Sequence, residues 1–262
     1  MDLGLKGKIA LLTGASRGLG FATAQALAKE GVRIAINARD EKQLSKAGDE
    51  LAKYKTDVIS LPGDVTDPDA GFKLIGSTFA VLGGLDLLFI NAGGPSPAAF
   101  DDLEEEDWQH AIDLSFMSHV RLIKAALPFL RKSKSPSVLS VASISVKQPI
   151  PNLVLSNSIR AATVGLIKTL ALELGSEGIR FNAILPSWTN TERVEQLMAD
   201  RAARNGTSIK DEITAQNAQS PLGRMAKPEE FANAAAFLLS PAASYLTGVM
   251  LPVDGGTYKG LL

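Results

Sequence analysis

Glycines are concentrated where the first apolar run of the chain meets the first amphipathic segment. The stretch TGASRGLG (13–20) directly follows the apolar run KIALL (8–12) and precedes FATAQALAKE (21–30). Glycine permits a tight turn at such a junction and lets backbone N–H groups approach an anion, which the N-terminus of the next helix then faces. The spacing therefore predicts a loop that binds a pyrophosphate through Gly14, Ser16, Arg17, Gly18, Leu19 and Gly20.

The residues after the second apolar run indicate which nicotinamide dinucleotide would fit. VRIAIN (32–37) ends at Asn37, and Arg39 follows where an acidic residue would bind the adenosine ribose hydroxyls and repel a 2′-phosphate. Arg17 adds a second guanidinium group from the glycine loop. Because guanidinium groups bind phosphate and no carboxylate stands here, the pattern predicts NADP(H) in preference to NAD(H). The alternative is that Arg39 is simply solvated after a strand.

These residues need a scaffold, and short apolar runs alternate with amphipathic segments along the whole chain. Strands are predicted, the first four of them buried, at 8–12, 32–37, 57–62, 85–92, 137–143, 179–185 and 249–254. Helices are predicted over 21–30, 41–54, 105–131, 156–175 and 229–239. This alternation predicts an α/β fold, with one parallel sheet covered by helices on both faces in a single domain spanning 1–262. The polar segment 189–220 is predicted to be a helical flap over a cleft, with a solvated surface insertion as the alternative.

Composition excludes several classes of function. With 45% hydrophobic and 21% charged residues and a formal net charge of −1, no field of one sign would attract nucleic acid or an anionic membrane. There is no cysteine, which excludes thiolate chemistry and cysteine–zinc sites and fits a cytoplasmic location. The two histidines, His110 and His119, are predicted to lie on the surface, and no metal site is expected. No apolar run reaches about 18 residues, so neither a signal peptide nor a membrane span is expected.

Six motifs together resemble the short-chain dehydrogenase/reductase family. They are TGASRGLG (13–20), GDV (63–65), NAGG (91–94), LALELGSEGIRFNAILP (170–186), PLGRMAKPEE (221–230) and YLTGVMLPVDGG (245–256). Within the family the chain is similar to the branch that contains the 3-oxoacyl-acyl carrier protein reductases. The resemblance implies a Rossmann-type doubly wound domain with a seven-stranded sheet and a small-molecule substrate. It also implies assembly as a homotetramer or dimer, with the C-terminal strand contributing to a subunit interface.

The resemblance implies further contacts with the cofactor, which can be carried over position by position. The residues are Asp64 and Val65 beside the adenine, Asn91, Ala92 and Gly93 along the middle, and Pro186, Thr189 and Thr191 near the nicotinamide.

Four catalytic positions of the family can be located by counting, and three of them depart from its pattern. Typical members use Asn, Ser, Tyr and Lys; the tyrosine gives a proton to the carbonyl oxygen, and the lysine binds the nicotinamide ribose. Ser143 keeps the serine position and lies 13 residues before Ser156, which stands where the tyrosine would be. RAATVGLIKTLALEL (160–174) sets Arg160 at the lysine position, and Ser115 takes the asparagine position.

This set predicts an altered mechanism. A serine hydroxyl is a far weaker acid than a phenol, so Ser156 would donate a hydrogen bond to the developing oxyanion while bound water delivers the proton. Arg160, on the same helix face, cannot shuttle a proton but would hold the ribose hydroxyls through two N–H groups. Losing a positioned acid slows catalysis by about 10²- to 10⁴-fold. Two substitutes are conceivable: Lys147, more simply a solvated loop lysine, and Tyr258, which would reach the cleft of a neighbouring subunit.

Two classes of function follow from these residues. The glycine loop and Ser143 predict an NADP(H)-dependent oxidoreductase that transfers hydride between nicotinamide and a carbonyl or alcohol substrate. The departures leave open a non-catalytic NADP(H)-binding protein, a sensor or partner subunit. They also leave open a reductase of activated C=C bonds, like the family's 2,4-dienoyl-thioester reductases, which look similar at Ser156. Arg160 favours the enzyme, because a decayed site would have little reason to keep a cation there.

Overall fold

Seven strands of the described chain form one parallel sheet. This computed structural model describes residues 2–261. The strands are β1 (Ile9–Leu12), β2 (Arg33–Ala38), β3 (Val58–Pro62), β4 (Leu87–Ile90), β5 (Ser137–Val141), β6 (Arg180–Pro186) and β7 (Met250–Val253). Their order is β3-β2-β1-β4-β5-β6-β7, and every adjacent pair is parallel. The predicted α/β, Rossmann-type doubly wound fold with seven parallel strands is confirmed.

Helices connect the successive strands of the sheet. They are α1 (Gly18–Lys29), α2 (Glu41–Ala52), α3 (Ala70–Leu82), α4 (Glu105–Ile112), α5 (Ser118–Leu130), α6 (Val154–Glu173), α7 (Glu192–Asn205), α8 (Ile209–Ala218) and α9 (Pro228–Leu239). The single helix predicted over 105–131 is interrupted by a π-helical turn at Asp113–Met117, which separates α4 from α5. The polar segment 189–220 contains α7 and α8, each begun by a side-chain cap, from Thr191 and Ser208.

Both faces of the sheet are covered because successive strand residues point to opposite sides. On one face, Leu11 of β1 belongs to a buried cluster that includes residues of α3, α5 and α6, such as Ile167. On the other face, Leu12 belongs to a cluster that includes residues of α1, α2 and α9, such as Phe231. The sheet therefore lies between two apolar cores. The loops at the ends of its strands lie outside these cores, where they can contact a ligand.

The edge strands are less buried than the centre of the sheet. Burial is complete along β1, β4 and β5, whereas β3 and β7 are half-buried or exposed. The prediction that the 57–62 strand is buried is therefore wrong. β3 has a neighbouring strand on one side only, so its position at the edge leaves it in contact with solvent despite its apolar sequence.

The strand order reverses between β1 and β4, and ligands of open α/β sheets bind at the carboxyl ends of strands beside such a point. The glycine loop follows β1 and NAGG (91–94) follows β4, so both loops enter this crevice. Gly14 and Gly18 have φ values of +56° and +57°, which favour glycine. A Cβ on Gly20 would lie 2.2 Å from the Gly14 carbonyl oxygen, so α1 can approach the loop this closely only with glycine.

Candidate active site

The two loops that enter the crevice are joined by side-chain hydrogen bonds. The Thr13 hydroxyl donates to the carbonyl of Asn91 (2.9 Å) and accepts from its backbone N–H (3.0 Å). The Asn91 side-chain amide donates to the carbonyl of Gly14 (2.9 Å). Asn91, predicted to line the cofactor, thus fixes the shape of both loops. Thr13 shares this role, although it was not among the predicted site residues. Its position directly after β1 and before Gly14 is the feature of the sequence that indicates it.

Two residues predicted to bind the adenosine end are buried in the structure. The Asn37 side-chain amide donates to the carbonyls of Leu61 (2.9 Å) and Gly63 (3.0 Å), which ties β2 to the end of β3. Val65 belongs to the core on the α3 face of the sheet. The structure therefore gives both residues a role in supporting this end of the crevice.

Each of the two arginines predicted to bind a 2′-phosphate lies beside an acid. Arg39 Nη1 is 3.6 Å from Asp64 Oδ2, and Arg17 Nη1 is 3.0 Å from Glu192 Oε2 at the start of α7. Burial raises the pKa of Asp64, but hydrogen bonds from Thr66 and the charge of Arg39 outweigh that effect and hold the pKa below its usual value. Both arginines are exposed, so an incoming anion can reach them.

The loops leave room for a nicotinamide dinucleotide. A Cβ on Gly93 would meet no atom within 4 Å among the described residues, and one on Gly18 would meet the Thr191 side chain 3.8 Å away. The buried hydroxyl of Thr189 has no hydrogen-bond partner within residues 2–261. Half-buried residues at the carboxyl ends of β1, β4 and β6 complete this region: Ser16, Leu19, Ala92 and Pro186. Open backbone at the glycine loop and an unpaired hydroxyl beyond β6 fit such a cofactor.

The two candidate catalytic serines are half-buried and begin neighbouring helical segments. Ser143 follows β5, and its hydroxyl accepts from the backbone N–H of Ser145 (3.1 Å), which starts a single 3₁₀ turn at Ile144–Val146. Ser156 lies in the first turn of α6. Both hydroxyls have a hydrogen to donate, so each can bind a substrate oxygen.

Arg160 lies one turn further along α6 and only 8% of its surface is exposed. Its Nη1 donates to the carbonyls of Val141 (2.8 Å) and Ala142 (3.2 Å) at the end of β5. A Cβ on Gly94 would be 3.9 Å from its Nη2, so the second nitrogen faces the loop after β4. Burial lowers the pKa of Arg160 to about 10, which leaves it charged at neutral pH. One nitrogen, Nη1, anchors the side chain, while Nη2 lies beside the loop after β4 that enters the crevice.

Ser115 lies in the π-helical turn between α4 and α5 and is buried. Its hydroxyl has no partner in the described part of the chain, whereas its carbonyl accepts from the Thr163 hydroxyl of α6 (2.6 Å). Single π-helical turns occur often at functional sites, where they reorient a helix. Here the turn brings Ser115 against the helix that carries Ser156 and Arg160.

His119 is buried, so the prediction that both histidines lie on the surface is wrong for this one. Burial and the charge of Arg160 lower the pKa of His119 to about 3, and its Nε2 has no partner among residues 2–261. The signal was in the sequence: His119 shares a helical spacing with the buried Leu122, Ile123 and Ala126. His119 also lies four residues after Ser115, and buried unpaired polar atoms of this kind are commonly bridged by water.

Lys147 and Tyr258 contact each other within one chain. The Lys147 Nζ lies 5.0 Å from the centroid of the Tyr258 ring, and both residues are half-buried. Lys147 is therefore not the solvated loop lysine expected from sequence. Tyr258, the other conceivable substitute, packs against Lys147 of its own chain.

The two helices of the 189–220 segment are tied to each other and to the crevice loops. Glu212 of α8 accepts from the Asn205 amide (2.8 Å) and the Thr207 hydroxyl (2.7 Å) at the end of α7. Arg193, in the first turn of α7, donates to the carbonyl of Pro95 (3.4 Å). A cavity of about 110 Å³ lies between this segment and the chain after β7, lined in part by Trp188, Gln216, Leu222, Met225 and Asp254.

Residues 2–261 contain no group of three His, Cys, Asp or Glu side chains that could hold a metal ion. Over the same residues, no helix is both long and apolar enough to cross a membrane.

The family model and the relatives that match this chain are all reductases or dehydrogenase/reductases. The family model described as "Enoyl-(Acyl carrier protein) reductase" matches residues 14–258. A 3-oxoacyl-[acyl-carrier-protein] reductase of Vibrio cholerae is 31% identical over 256 residues, which cover 98% of this chain and 99% of that one. "Dehydrogenase/reductase SDR family member 4" of Bos taurus is 32% identical over 261 residues, covering 98% of this chain and 89% of that one.

The fold also matches solved structures over its full length. L-sorbose reductase from Gluconobacter frateurii, solved with NADPH and L-sorbose, is 34% identical with a TM-score of 0.95, and the match covers 100% of both chains. An actinorhodin polyketide ketoreductase variant, solved with NADPH, is 28% identical with a TM-score of 0.92 and covers 97% of this chain and 98% of that one.

Proposed function

This chain belongs to the short-chain dehydrogenase/reductase family, and from that premise we propose that it is an NADP(H)-dependent oxidoreductase with a non-standard catalytic set. The reaction is hydride transfer between nicotinamide and a carbonyl or alcohol substrate. Oxidoreduction with a nicotinamide cofactor is supported by relatives that are reductases across their full length and by structural neighbours solved with NADPH.

The observation that carries the proposal is the buried cation at Arg160. Burying a guanidinium group costs several kcal/mol unless its hydrogen bonds are satisfied, and the carbonyls of Val141 and Ala142 satisfy only one nitrogen. The second terminal nitrogen, Nη2, lies beside Gly94 in the loop after β4. A buried cation that still has N–H groups to donate at the crevice can bind the oxygens of a ligand there, and this supports a working site.

The proposed roles of the polar side chains follow from their positions. When bound, the nicotinamide supplies or accepts a hydride. Ser143 and Ser156 donate hydrogen bonds to the substrate oxygen, which stabilises the negative charge that develops there. Arg160 binds the ribose hydroxyls through its free N–H groups and adds a positive charge beside the developing oxyanion.

The preference for NADP(H) rests on Arg17 and Arg39. Both are engaged with carboxylates across exposed ion pairs, Glu192 and Asp64, and such pairs contribute only about 0–1 kcal/mol. A 2′-phosphate carries more charge and presents three acceptor oxygens, so it displaces a single carboxylate from a guanidinium group. The two structural neighbours solved with NADPH support the same preference.

The segment 189–220 is proposed to be the flap on the substrate side. It begins beside the glycine loop, with the Thr191 side chain 3.8 Å from where a Cβ of Gly18 would lie, and it contacts the loop after β4 through Arg193. Two further parts of the proposal are assembly as a homotetramer or dimer, which the family resemblance implies, and a cytoplasmic location, which fits the absence of cysteine.

Activity measurements with purified protein test the proposed function. NADPH oxidation is followed with a ketone, a ketose, a β-ketoacyl thioester and a conjugated enone, after NADPH and NADH affinities have been measured by fluorescence titration. The proposal predicts tighter binding of NADPH and slow, substrate-dependent oxidation with one class of carbonyl compound. NADPH binding without turnover on any substrate would instead identify a non-catalytic binding protein, and turnover on the enone alone would identify a C=C reductase.

A further inference from the structure

Two charged side chains at the start of α7 reach the two loops that enter the crevice. Glu192 pairs with Arg17 of the glycine loop after β1 (3.0 Å). Arg193 reaches the loop after β4, where its Nη2 donates to the carbonyl of Pro95 (3.4 Å). Adjacent residues of a helix do not face each other, so the two charges are directed apart. Because β5 lies next to β4 in the sheet, Arg193 is on the half of the crevice that leads to the candidate serines.

The loop that Arg193 contacts runs from the crevice to the start of α6. It begins directly after β4, and its Ala98 forms a parallel β-bridge with Leu153, three residues before Ser156. Pro95 lies between these two ends and is buried. The guanidinium group of Arg193 therefore lies beside the segment that joins the cofactor crevice to the helix carrying Ser156.

The charged atoms of Arg193 and Arg160 approach consecutive residues of this loop. Arg160 Nη2 lies 3.9 Å from where a Cβ of Gly94 would be, and Arg193 Nη2 is 3.4 Å from the carbonyl oxygen of Pro95. Since consecutive Cα atoms are about 3.8 Å apart, the two nitrogen atoms lie within about 15 Å of each other. Arg160 is one helical turn from Ser156. A small substrate held by this serine can therefore reach Arg193 with its other end.

Arg193 is available to bind a ligand. The residue is exposed, and its hydrogen bond to Pro95 is longer than the usual N–H···O range of about 2.7–3.2 Å. Within residues 2–261, no aspartate or glutamate oxygen lies within 4.0 Å of its guanidinium group, including those of Asp101 and Asp102 further along the same loop. The positive end of the α7 dipole adds to the attraction for an anion at this point.

We propose that Arg193 binds an anionic group of the substrate, a carboxylate or a phosphate, and thereby selects carbonyl compounds that carry one. This inference rests on the proposed function and names the class of substrate. A guanidinium group binds the oxygens of either anion through two parallel N–H donors. The carbonyl oxygen of the substrate would lie at Ser143 and Ser156, and its anionic end beside Pro95.

Equilibrium binding tests this inference without requiring turnover. Protein saturated with NADP⁺ would be titrated by calorimetry with 2-oxobutanoate and its methyl ester, and with dihydroxyacetone phosphate and dihydroxyacetone. We expect one of the two anions to bind at least about fivefold more tightly than its neutral counterpart, which is the gain expected from a charge-assisted contact at an exposed site. Raising the ionic strength should reduce this preference, because salt screens exposed charges.

Arg193→Gln removes the charge, and Arg204→Gln, at an exposed arginine in the last turn of the same helix, is the matched control. Arg193→Gln should bind the anion about as weakly as the neutral compound, with the affinity for NADP⁺ unchanged. Arg204→Gln should bind both compounds like the wild type. Arg193→Lys keeps a charge without the paired donors and should recover part of the preference. In turnover, Arg193→Gln should raise KM for the anionic substrate and leave kcat within about threefold of the wild type.

The outcomes separate this inference from the function on which it rests. Equal affinities of the wild type for the charged and neutral members of both pairs overturn the inference, whether or not the protein turns over a carbonyl compound. A preference that Arg193→Gln and Arg204→Gln reduce alike overturns it as well. An anion bound through Arg193 with no hydride transfer to any substrate overturns the proposed function and identifies a non-catalytic protein that binds an anionic ligand.

Discussion

Arg160 carries its charge in a buried position where two backbone carbonyls and a loop meet. A lysine, with one compact ammonium group, could not both satisfy these carbonyls and extend a planar donor set towards Gly94. The side chain therefore combines a structural contact with a free donor group. Compared with the lysine typical of the family, Arg160 supplies the same charge but is fixed by hydrogen bonds to two backbone carbonyls.

We expect Arg160→Ala to lower both stability and activity. The substitution leaves the carbonyls of Val141 and Ala142 without a donor, which costs about 1–3 kcal/mol, and it removes the cation from the crevice. Urea unfolding and kcat/KM measure the two effects. Arg160→Lys should recover part of the activity, while Arg131→Ala, at an exposed ion pair, should change little. Full activity of Arg160→Ala would contradict the role proposed for this residue.

His119 should make the protein less stable as the pH falls. Its pKa in the folded state is about 3, below the ordinary value of 6.5, so between these values the unfolded chain binds a proton that the folded chain excludes. The stability that comes from keeping this ring neutral is fully present above pH 6.5. Between pH 6.5 and about 3, its loss lowers the free energy of unfolding by about 1.4 kcal/mol for each pH unit that the pH falls.

Unfolding free energies at pH 7 and pH 5 measure this effect. His119→Gln should lose less stability between the two pH values than the wild type does. His110→Gln, which changes the exposed histidine, is the matched control and should behave like the wild type. An unchanged pH dependence in His119→Gln would show that the buried ring does not exclude its proton.

The helices α7 and α8 form one element that is attached to the glycine loop by an ion pair. Arg17 joins Glu192 at the first residue of α7, and Arg193 joins Pro95 in the loop after β4. Because Arg17 is also proposed to bind the 2′-phosphate, Glu192 competes with the cofactor for the same guanidinium group. If Arg17 binds the cofactor as proposed, the ion pair links the segment 189–220 to the nucleotide.

Removing the charge of Glu192 should therefore strengthen NADPH binding. For Glu192→Gln we expect a dissociation constant about two- to fivefold lower, in line with the small free energy of an exposed ion pair. Glu195→Gln, one turn along α7, is the matched control. Arg17→Ala should weaken NADPH binding by roughly tenfold and NADH binding less. Equal effects of Arg17→Ala on the two cofactors would contradict a contact with the 2′-phosphate.

Most elements could be predicted from sequence because their apolar spacing is local information. The β3 strand was expected to be buried, since its residues do not reveal that it lies at the sheet edge. The π-helical turn around Ser115 meets α6 through the Thr163 hydroxyl, a contact between distant residues that no local pattern indicates. The burial of His119 was indicated only by its spacing from Leu122 and Ile123. The Lys147–Tyr258 contact joins residues that lie far apart in the chain, and no local pattern reports such a pairing.

Most candidate site residues lie at or just beyond the carboxyl ends of strands, along one edge of a sheet held between two apolar cores. β6 is central to this arrangement, because it carries Pro186 to the crevice and packs Phe181 into the core on the α3 face. The core residues set the relative positions of loops that are far apart in sequence. A substitution that disturbs the core of the sheet should therefore also displace the loops of the candidate site.

Truncating a core residue of β6 should destabilise the whole fold. Phe181→Ala leaves a cavity beside β5 and should lower the free energy of unfolding by about 3–5 kcal/mol. Phe72→Ala, at a phenylalanine that is largely exposed on α3, is the matched control and should change it by less than about 0.5 kcal/mol. Similar losses from both substitutions in urea unfolding would contradict the assignment of Phe181 to the core.

Transfer of deuterium from the cofactor to the substrate tests most directly whether this site is catalytic. NADPH carrying deuterium at both C4 positions would be incubated with excess protein and each carbonyl compound, and the products analysed by mass spectrometry over hours. We expect one deuterium on the carbinol carbon of one substrate's alcohol, even if turnover is slow. Bound NADPH with no deuterated alcohol from any substrate would show that the chain binds the nucleotide without performing the reaction.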